Sequence, residues 1–142
     1  MAAGKHASSE ITITIDLAGG SSPTAITNYI LTLSAAELEA LMQASTAYGD
    51  AFEEHLPTGM QRVSPFDMTG FFDDTATTGP HAVLGAPDAT PQTATRTLTL
   101  VFGNSKTFSG ECFVTKYGVL GKVGSLTEFT CHIQPTGTWA WT

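Results

Sequence analysis

The sequence predicts a mainly β, single-domain chain with one α-helix and one long inter-strand connection. Three observations predict it. Several runs alternate apolar and polar residues at a period of two, the signature of half-buried strands. Threonine occupies 23 of 142 positions while charged residues make up only 13%, about half the usual share, and threonine favours strands. One run alone carries helical spacing. The length suits a single domain, at about 100 to 200 residues each, with one hydrophobic core.

Residues 1–10 are small, polar and unpatterned and read as a flexible arm, leaving 11–142 as the domain. Ile11, Ile13, Ile15 and Leu17 alternate with Thr12, Thr14 and Asp16, which predicts a strand. Gly19, Gly20, Ser21, Ser22 and Pro23 supply a turn, and Tyr29, Leu31 and Leu33 resume the alternation over Asn28 to Leu33. Ser34 and Glu37 form a capping-box pattern, and Leu38, Leu41, Met42 and Ser45 follow at i, i+3, i+4 and i+7. The spacing predicts a helix over Ala35 to Ser45, with a further helical turn through Ala51 to Leu56 before Pro57 and Gly59.

From Arg62 onward the chain reads as β. Arg62 to Asp74 is a strand in which Pro65 takes an edge or early position, and Asp73 to Pro91 is a long connection with little to bury. Thr95 to Phe102 is a strand with Leu98, Leu100 and Phe102 on one face, followed by a turn at Gly103 and Asn104. Lys106 to Leu120 and Val123 to Pro135 then form a hairpin. A two-residue turn at Gly121 and Lys122 places Cys112 opposite Cys131, Val114 opposite Phe129 and Gly110 opposite Ile133. The other face pairs Glu111 with His132, Phe113 with Thr130 and Thr115 with Glu128.

Charge excludes several classes of function. The net charge is −7, and the six basic residues Lys5, Arg62, Arg96, Lys106, Lys116 and Lys122 are scattered, so no patch for phosphate recognition forms. No apolar run approaches the ~18 residues of a membrane helix, and the start lacks the features of a secretory signal. A cytoplasmic origin is the default expectation.

No constellation of catalytic residues stands out. Ser64 and Ser109 lack the surroundings of a nucleophile elbow, and His6, His55, His81 and His132 are spread along the chain. Asp73 and Asp74, as neighbours on a strand, point to opposite faces and read as strand termination rather than as an acid–base pair or ion site. Cys112 and Cys131 match no zinc spacing. They read foremost as buried thiols, with a disulfide under air oxidation open if the hairpin register holds. No metal and no cofactor is expected. Trp139 and Trp141 offer the one aromatic platform a monomeric carbohydrate-binding module would need.

Specific residues carry a resemblance. Thr46, Ala47, Tyr48, Gly49, Asp50, then Leu56, Pro57, Thr58, Gly59, and Met68 to Asp74 are similar in order and spacing to the major tail tube proteins of long-tailed, siphovirus-like bacteriophages. So are Phe108 to Tyr117, Gly121, Val123, Gly124, and Gln134 to Gly137. The likeness spans about residues 10 to 138. It implies a β-sandwich or barrel with a flanking helix, acting as a structural, non-enzymatic subunit. Self-association into hexameric rings, stacked as the hollow conduit for genome DNA, comes with the resemblance.

The partners so implied are further copies of the chain, tail-tip and tail-terminator proteins, and the tape measure protein. DNA passes without specific binding, and no membrane is involved; the location is the virion tail, assembled in the host cytoplasm. A related tail-tip ring or the inner tube of an injection system is a neighbouring possibility. Carried over by position, arm and loop residues Lys5, His6, Asp74, Thr77, Gly79, His81 and Leu84 would contact the next ring. Polar strand positions Asp67, Thr97, Thr99, Glu111, Thr115, Glu128 and Thr130 are candidates to face the lumen, each equally an ordinary solvent-facing sheet position. An acidic or neutral lumen would repel phosphates and keep DNA from adhering.

Overall fold

The computed structural model describes residues 5–17, 22–85, 94–103 and 106–142. Its strands are β1 (Ile11–Ile15), β2 (Thr24–Ala25), β3 (Ile30–Leu33), β4 (Leu38–Ala44), β5 (His55–Val63), β6 (Phe66–Phe71), β7 (Arg96–Phe102), β8 (Lys106–Leu120) and β9 (Glu128–Trp141). Among the described residues the α-helix is a short one, α1 (Pro80–Leu84). Seven strands form one antiparallel sheet in the order β2, β1, β7, β8, β9, β6, β3, while β4 and β5 make a separate two-stranded ribbon. The C-terminal meander thus occupies the middle of the sheet and the N-terminal strands its flanks. The sheet curls so far that residues of β1, next to one edge of the order, and of β3, at the other edge, line one cleft. The mainly β, barrel-like class predicted above is the observed one.

Alternation decides which face is buried. Ile13, Ile15, Phe66, Met68, Leu98, Leu100, Phe108, Cys112, Val114, Phe129, Cys131 and Ile133 point to one side and are buried. Each large apolar side chain so placed contributes about 1.5 to 3 kcal/mol. Over them lie Ile26, Val63, Trp139, and Val83 and Leu84 of α1, all buried. That helix begins as its sequence dictates, with Gly79 at the N-cap and Pro80, which needs no N–H partner, in the first turn. In β6, Gly70 is required because a Cβ there would lie 2.1 Å from the Tyr29 carbonyl oxygen.

The helix expected over Ala35 to Ser45 is not formed. Leu38–Ala44 is strand β4, and the further helical turn expected through Ala51 to Leu56 gives way to the start of β5 at His55. The capping box is dismantled: the Ser34 hydroxyl accepts the Asp67 N–H at 2.8 Å, and the Glu37 carbonyl accepts the Ser64 N–H at 3.1 Å. Four regular elements follow the expectations more closely: β1, β7, β8, with the expected bounds Lys106–Leu120, and β6, which starts just after Pro65. Within Asn28 to Leu33, a 3-10 turn at Thr27–Tyr29 precedes β3.

The register of β8 with β9 also differs. Cys112 faces Pro135 and Cys131 faces Tyr117, because residues 121–127 form a longer connection than the two-residue turn expected. Both cysteines are free and buried. The displacement near Cys112 is an even number of residues, so the faces of β8 survive it; a bulge between Val114 and Lys116 then flips the outer half of the strand. The expected turn at 19–21, Asn104, and loop positions 86–91 lie outside the described residues, as do positions 1–4 of the arm.

Candidate functional site

The face of the seven-stranded sheet turned away from the core is a polar surface of regular geometry. Cross-strand neighbours there run Thr14, Thr99, Ser109; Thr97, Glu111, Thr136; Lys116, His132, Asp67; and Gly118, Thr130, Thr69. All seven candidate positions Asp67, Thr97, Thr99, Glu111, Thr115, Glu128 and Thr130 lie on this one face. Period-two alternation makes this so, and the bulge at Thr115 restores it, setting Thr115 and Lys116 both outward.

Hydroxyls and carboxylates on this face bond one another. The Thr97 hydroxyl donates to both Glu111 carboxylate oxygens at 3.2 Å. The Thr115 hydroxyl donates to the His132 carbonyl at 3.4 Å, and the Asp67 carboxylate meets His132 Nδ1 at 2.7 Å. The strand residues of the face carry three carboxylates, Asp67, Glu111 and Glu128, against one lysine, Lys116. The remainder is mostly threonine. Such a surface offers a polyanion acidic groups and neutral hydroxyls with little cationic charge.

The arm and loop candidates separate into exposed and interior groups. Lys5 and His6 are exposed, and His6 Nδ1 meets Glu10 Oε2 at 3.1 Å, so the chain is already tied down before a 3-10 turn at Ser8–Glu10. The His6 ring lies over Gly103, where φ is +62° and a Cβ would sit 2.3 Å from the ring. Asp74 and Thr77 are exposed. The Asp73 carboxylate accepts hydrogen bonds from the Thr75 hydroxyl and N–H, which hold its pKa below the usual value. It caps a turn just beyond β6, which ends at Phe71, so Asp73 and Asp74 follow the strand and do not lie on it as expected.

Gly79 and Leu84 do not reach the surface. Gly79 is buried, its N–H donating to the Thr75 carbonyl, and Leu84 is fully enclosed in the core. Neither side of the connection can therefore use them for contact. His81 is exposed, with Nδ1 3.2 Å from the Tyr117 hydroxyl and its ring against Phe72.

Trp139 cannot serve as a sugar platform. It is 5% exposed, its Nε1 donates to the Glu111 carbonyl at 2.9 Å, and its ring packs over Gly110 between Phe66 and Phe108. Trp141 is half exposed and stacks on Phe108. Among the described residues no group of three His, Cys, Asp or Glu side chains could hold a metal.

Two features were not foreseen. Arg96 is fully buried, with Nη1 donating to the Val83 carbonyl at 2.7 Å while Nε and Nη2 have no hydrogen-bond partner. Burial lowers its pKa, with Cys112, Asp16 and Cys131 opposing the shift. Its even-numbered parity with Leu98 and Leu100 was the available signal. The second is the β4–β5 ribbon, whose side chains are exposed on both faces apart from Leu41 and Val63.

No family model matches the chain, and no curated protein matches it in sequence. Solved structures do match in fold. A chain from the tail of an empty gene transfer agent particle, computed with C6 symmetry, superimposes with a TM-score of 0.73 at 13% identity, covering 97% of this chain and 99% of that one. A chain from the six-fold symmetrised baseplate of the anti-feeding prophage gives 0.71 at 10% identity, covering 100% and 96%. A chain from the sheath–tube complex of an extracellular contractile injection system gives 0.67 at 8% identity, covering 99% and 93%.

Proposed function

We propose that this chain is the subunit of a bacteriophage-type tail tube, closing into hexameric rings that stack into a hollow conduit for genome DNA. The observation that carries the reading is end-to-end likeness of fold to chains of six-fold tail and baseplate assemblies, at near-complete coverage of both partners. The chemistry of the chain is consistent with it. A curled sheet with β2 and β3 at its edges has strand groups to pair with neighbouring copies, and a closed ring removes the aggregation liability of such edges.

The polar face is the surface assigned to the lumen. Its carboxylates and hydroxyls would repel or only weakly hold phosphates, so that DNA slides instead of binding. Lys5, His6, Asp74, Thr77 and His81 remain the arm and loop positions proposed to touch the next ring. Tail-tip, terminator and tape measure proteins are the further partners such a tube requires, in a virion tail assembled in the host cytoplasm. The likeness to chains from contractile injection systems favours, as a second reading, an inner tube surrounded by a sheath.

Negative-stain electron microscopy of the purified chain over a range of concentrations tests the assembly reading directly. Hollow tubes with a regular axial repeat are expected, and a monomer at every concentration contradicts it. Particles with a sheath around the tube decide for the second reading. Thr99→Lys or Glu128→Lys should leave tubes of normal length and impair DNA delivery. Unchanged delivery would remove these positions from the lumen.

A further inference from the structure

The turn that joins β8 to β9 presents apolar side chains that the subunit does not bury. Arg96, the first residue of β7, pairs with Cys112, so β8 from Phe113 to Leu120 runs on past β7 with β9 beside it. At its far end Val123 is wholly exposed and Leu126 is 71% exposed, while Leu120 and Val119 are 58% and 50% exposed. The turn is held in place. The Ser125 N–H donates to the Lys122 carbonyl at 3.1 Å, the Phe72 N–H donates to the Thr127 carbonyl at 2.9 Å, and Gly124 takes φ +85°. Lys122 is the one charged residue from 117 to 127. Together the four apolar side chains offer a surface on the order of 400 Å², a patch of the size that on monomers is often functional.

The opposite end of the same two strands is also apolar. Trp141, half exposed, pairs with Phe108 and stacks on it, with Phe102 at 5.6 Å. Half-exposed Leu31 lines the cleft beside them. Phe108 and Leu120 are twelve residues apart on β8, about 40 Å at roughly 3.3 Å each, so the two surfaces cannot meet within one molecule. The arm and loop positions proposed to touch the next ring divide between these two ends. The His6 ring lies over Gly103, directly after Phe102, at the Trp141 end. Asp74 follows Phe72, which is bonded to Thr127, and His81 meets Tyr117, both at the turn end.

We infer that the apolar turn of the β8–β9 hairpin packs head to tail against the Trp141 end of a second copy of this chain. Donor and receiver lie at opposite ends of one strand pair, so the contact is heterologous and propagates along the strands, joining one ring to the next rather than closing a ring. Its area fits that role. About 400 Å² a side is half the ~800 Å² per partner of a standard interface, too little for a stable dimer, while several such contacts made at once hold two rings together. The inference rests on the self-assembly reading and adds to it a surface between rings.

The test combines sedimentation, electron microscopy and cross-linking. Val123→Asp changes a side chain that is wholly exposed in the monomer. It should raise the concentration at which tubes appear by about tenfold or more, because the contact then buries a carboxylate without a partner, and leave single rings in place of tubes. The double variant Val123→Cys, Thr142→Cys should give a ladder of disulfide-linked oligomers under oxidation; the native thiols are buried and stay out of the reaction. If the unsubstituted chain assembles and Val123→Asp forms tubes at the same concentration, the inference is overturned and the tube reading stands. A dimer formed by Val123→Cys alone, with no ladder in the double variant, means turn meets turn and also overturns it. An unsubstituted chain that stays monomeric throughout overturns the assembly reading, and this inference with it.

Discussion

Replacing Gly110 by alanine tests how tightly the C-terminal strand is keyed into the core. A Cβ at Gly110 would lie 2.4 to 2.5 Å from three atoms of the Trp139 indole. Carbon atoms rest at about 3.5 to 4.0 Å, so the ring must retreat by about an ångström. Retreat is opposed by Phe108 at 5.1 Å and Phe66 at 6.2 Å, and it stretches the 2.9 Å bond from Nε1 to the Glu111 carbonyl. Overpacking of this kind costs about 1 to 3 kcal/mol and the weakened hydrogen bond about 1 more. Loss of glycine's freedom in the unfolded chain returns about 0.4 to 1 kcal/mol. The net expectation is a destabilisation of about 1 to 3 kcal/mol, read from urea unfolding followed by far-UV circular dichroism. The same substitution made in a Trp139→Leu background should cost far less, with a coupling of at least about 1 kcal/mol. Equal cost in both backgrounds, within about 0.5 kcal/mol, refutes the steric account.

Substitutions at the two cysteines and at Arg96 probe the interior. Burial pushes the Cys112 and Cys131 thiols from 9.0 up to about 12, so the fold keeps them protonated while the unfolded chain releases both protons above pH 9. Stability from this source is intact below pH 9 and is lost as pH rises toward 12, about 3 kcal/mol by pH 10 for the pair; Cys112→Ala with Cys131→Ala should flatten that part of the alkaline stability curve, and an unchanged slope contradicts it. Arg96→Met keeps the volume, removes two unpartnered donors and leaves the Val83 carbonyl without its bond, effects of about 1 to 3 kcal/mol each that largely cancel. Arg96→Ala adds a cavity and should cost at least about 2 kcal/mol more in thermal or urea unfolding; equal losses for the two variants would show that the guanidinium itself holds the core.

What could be read in the sequence was whatever burial had imprinted on it. In β1 and β7 one face is buried, and Ile13, Ile15, Leu98 and Leu100 repeat at a period of two as that requires. The Ala35 to Ser45 segment misled for the same reason in reverse. Leu38, Leu41 and Met42 match a helical stripe, yet the β4–β5 ribbon has no large buried face, so no constraint on period acts there within the subunit. The real helix, α1, lies in the stretch read as a long connection with little to bury, yet its Pro80, Val83 and Leu84 are buried; at five residues it is too short to show periodicity. The polar face was legible up to Thr115 because the register error there is an even number of residues and preserves facing; beyond the bulge the error is odd and Lys116 to Leu120 change sides. The bulge between Val114 and Lys116, a property of paired backbones, left no mark in either strand alone.

The strand order also schedules the protein's own maturation. β6 finds its partners in β3 and β9, and β1 in β2 and β7, so both N-terminal flanks wait for a centre that the ribosome makes last. At about 5 to 20 residues per second, the segment from β7 through β9 emerges several seconds after β1. During that interval β1 can pair with β2 and β3 with β6, but the meander that joins the two pairs into one sheet is not yet made. On the proposed assembly, the continuous sheet that a second copy would meet exists only once β9 has slotted between β8 and β6.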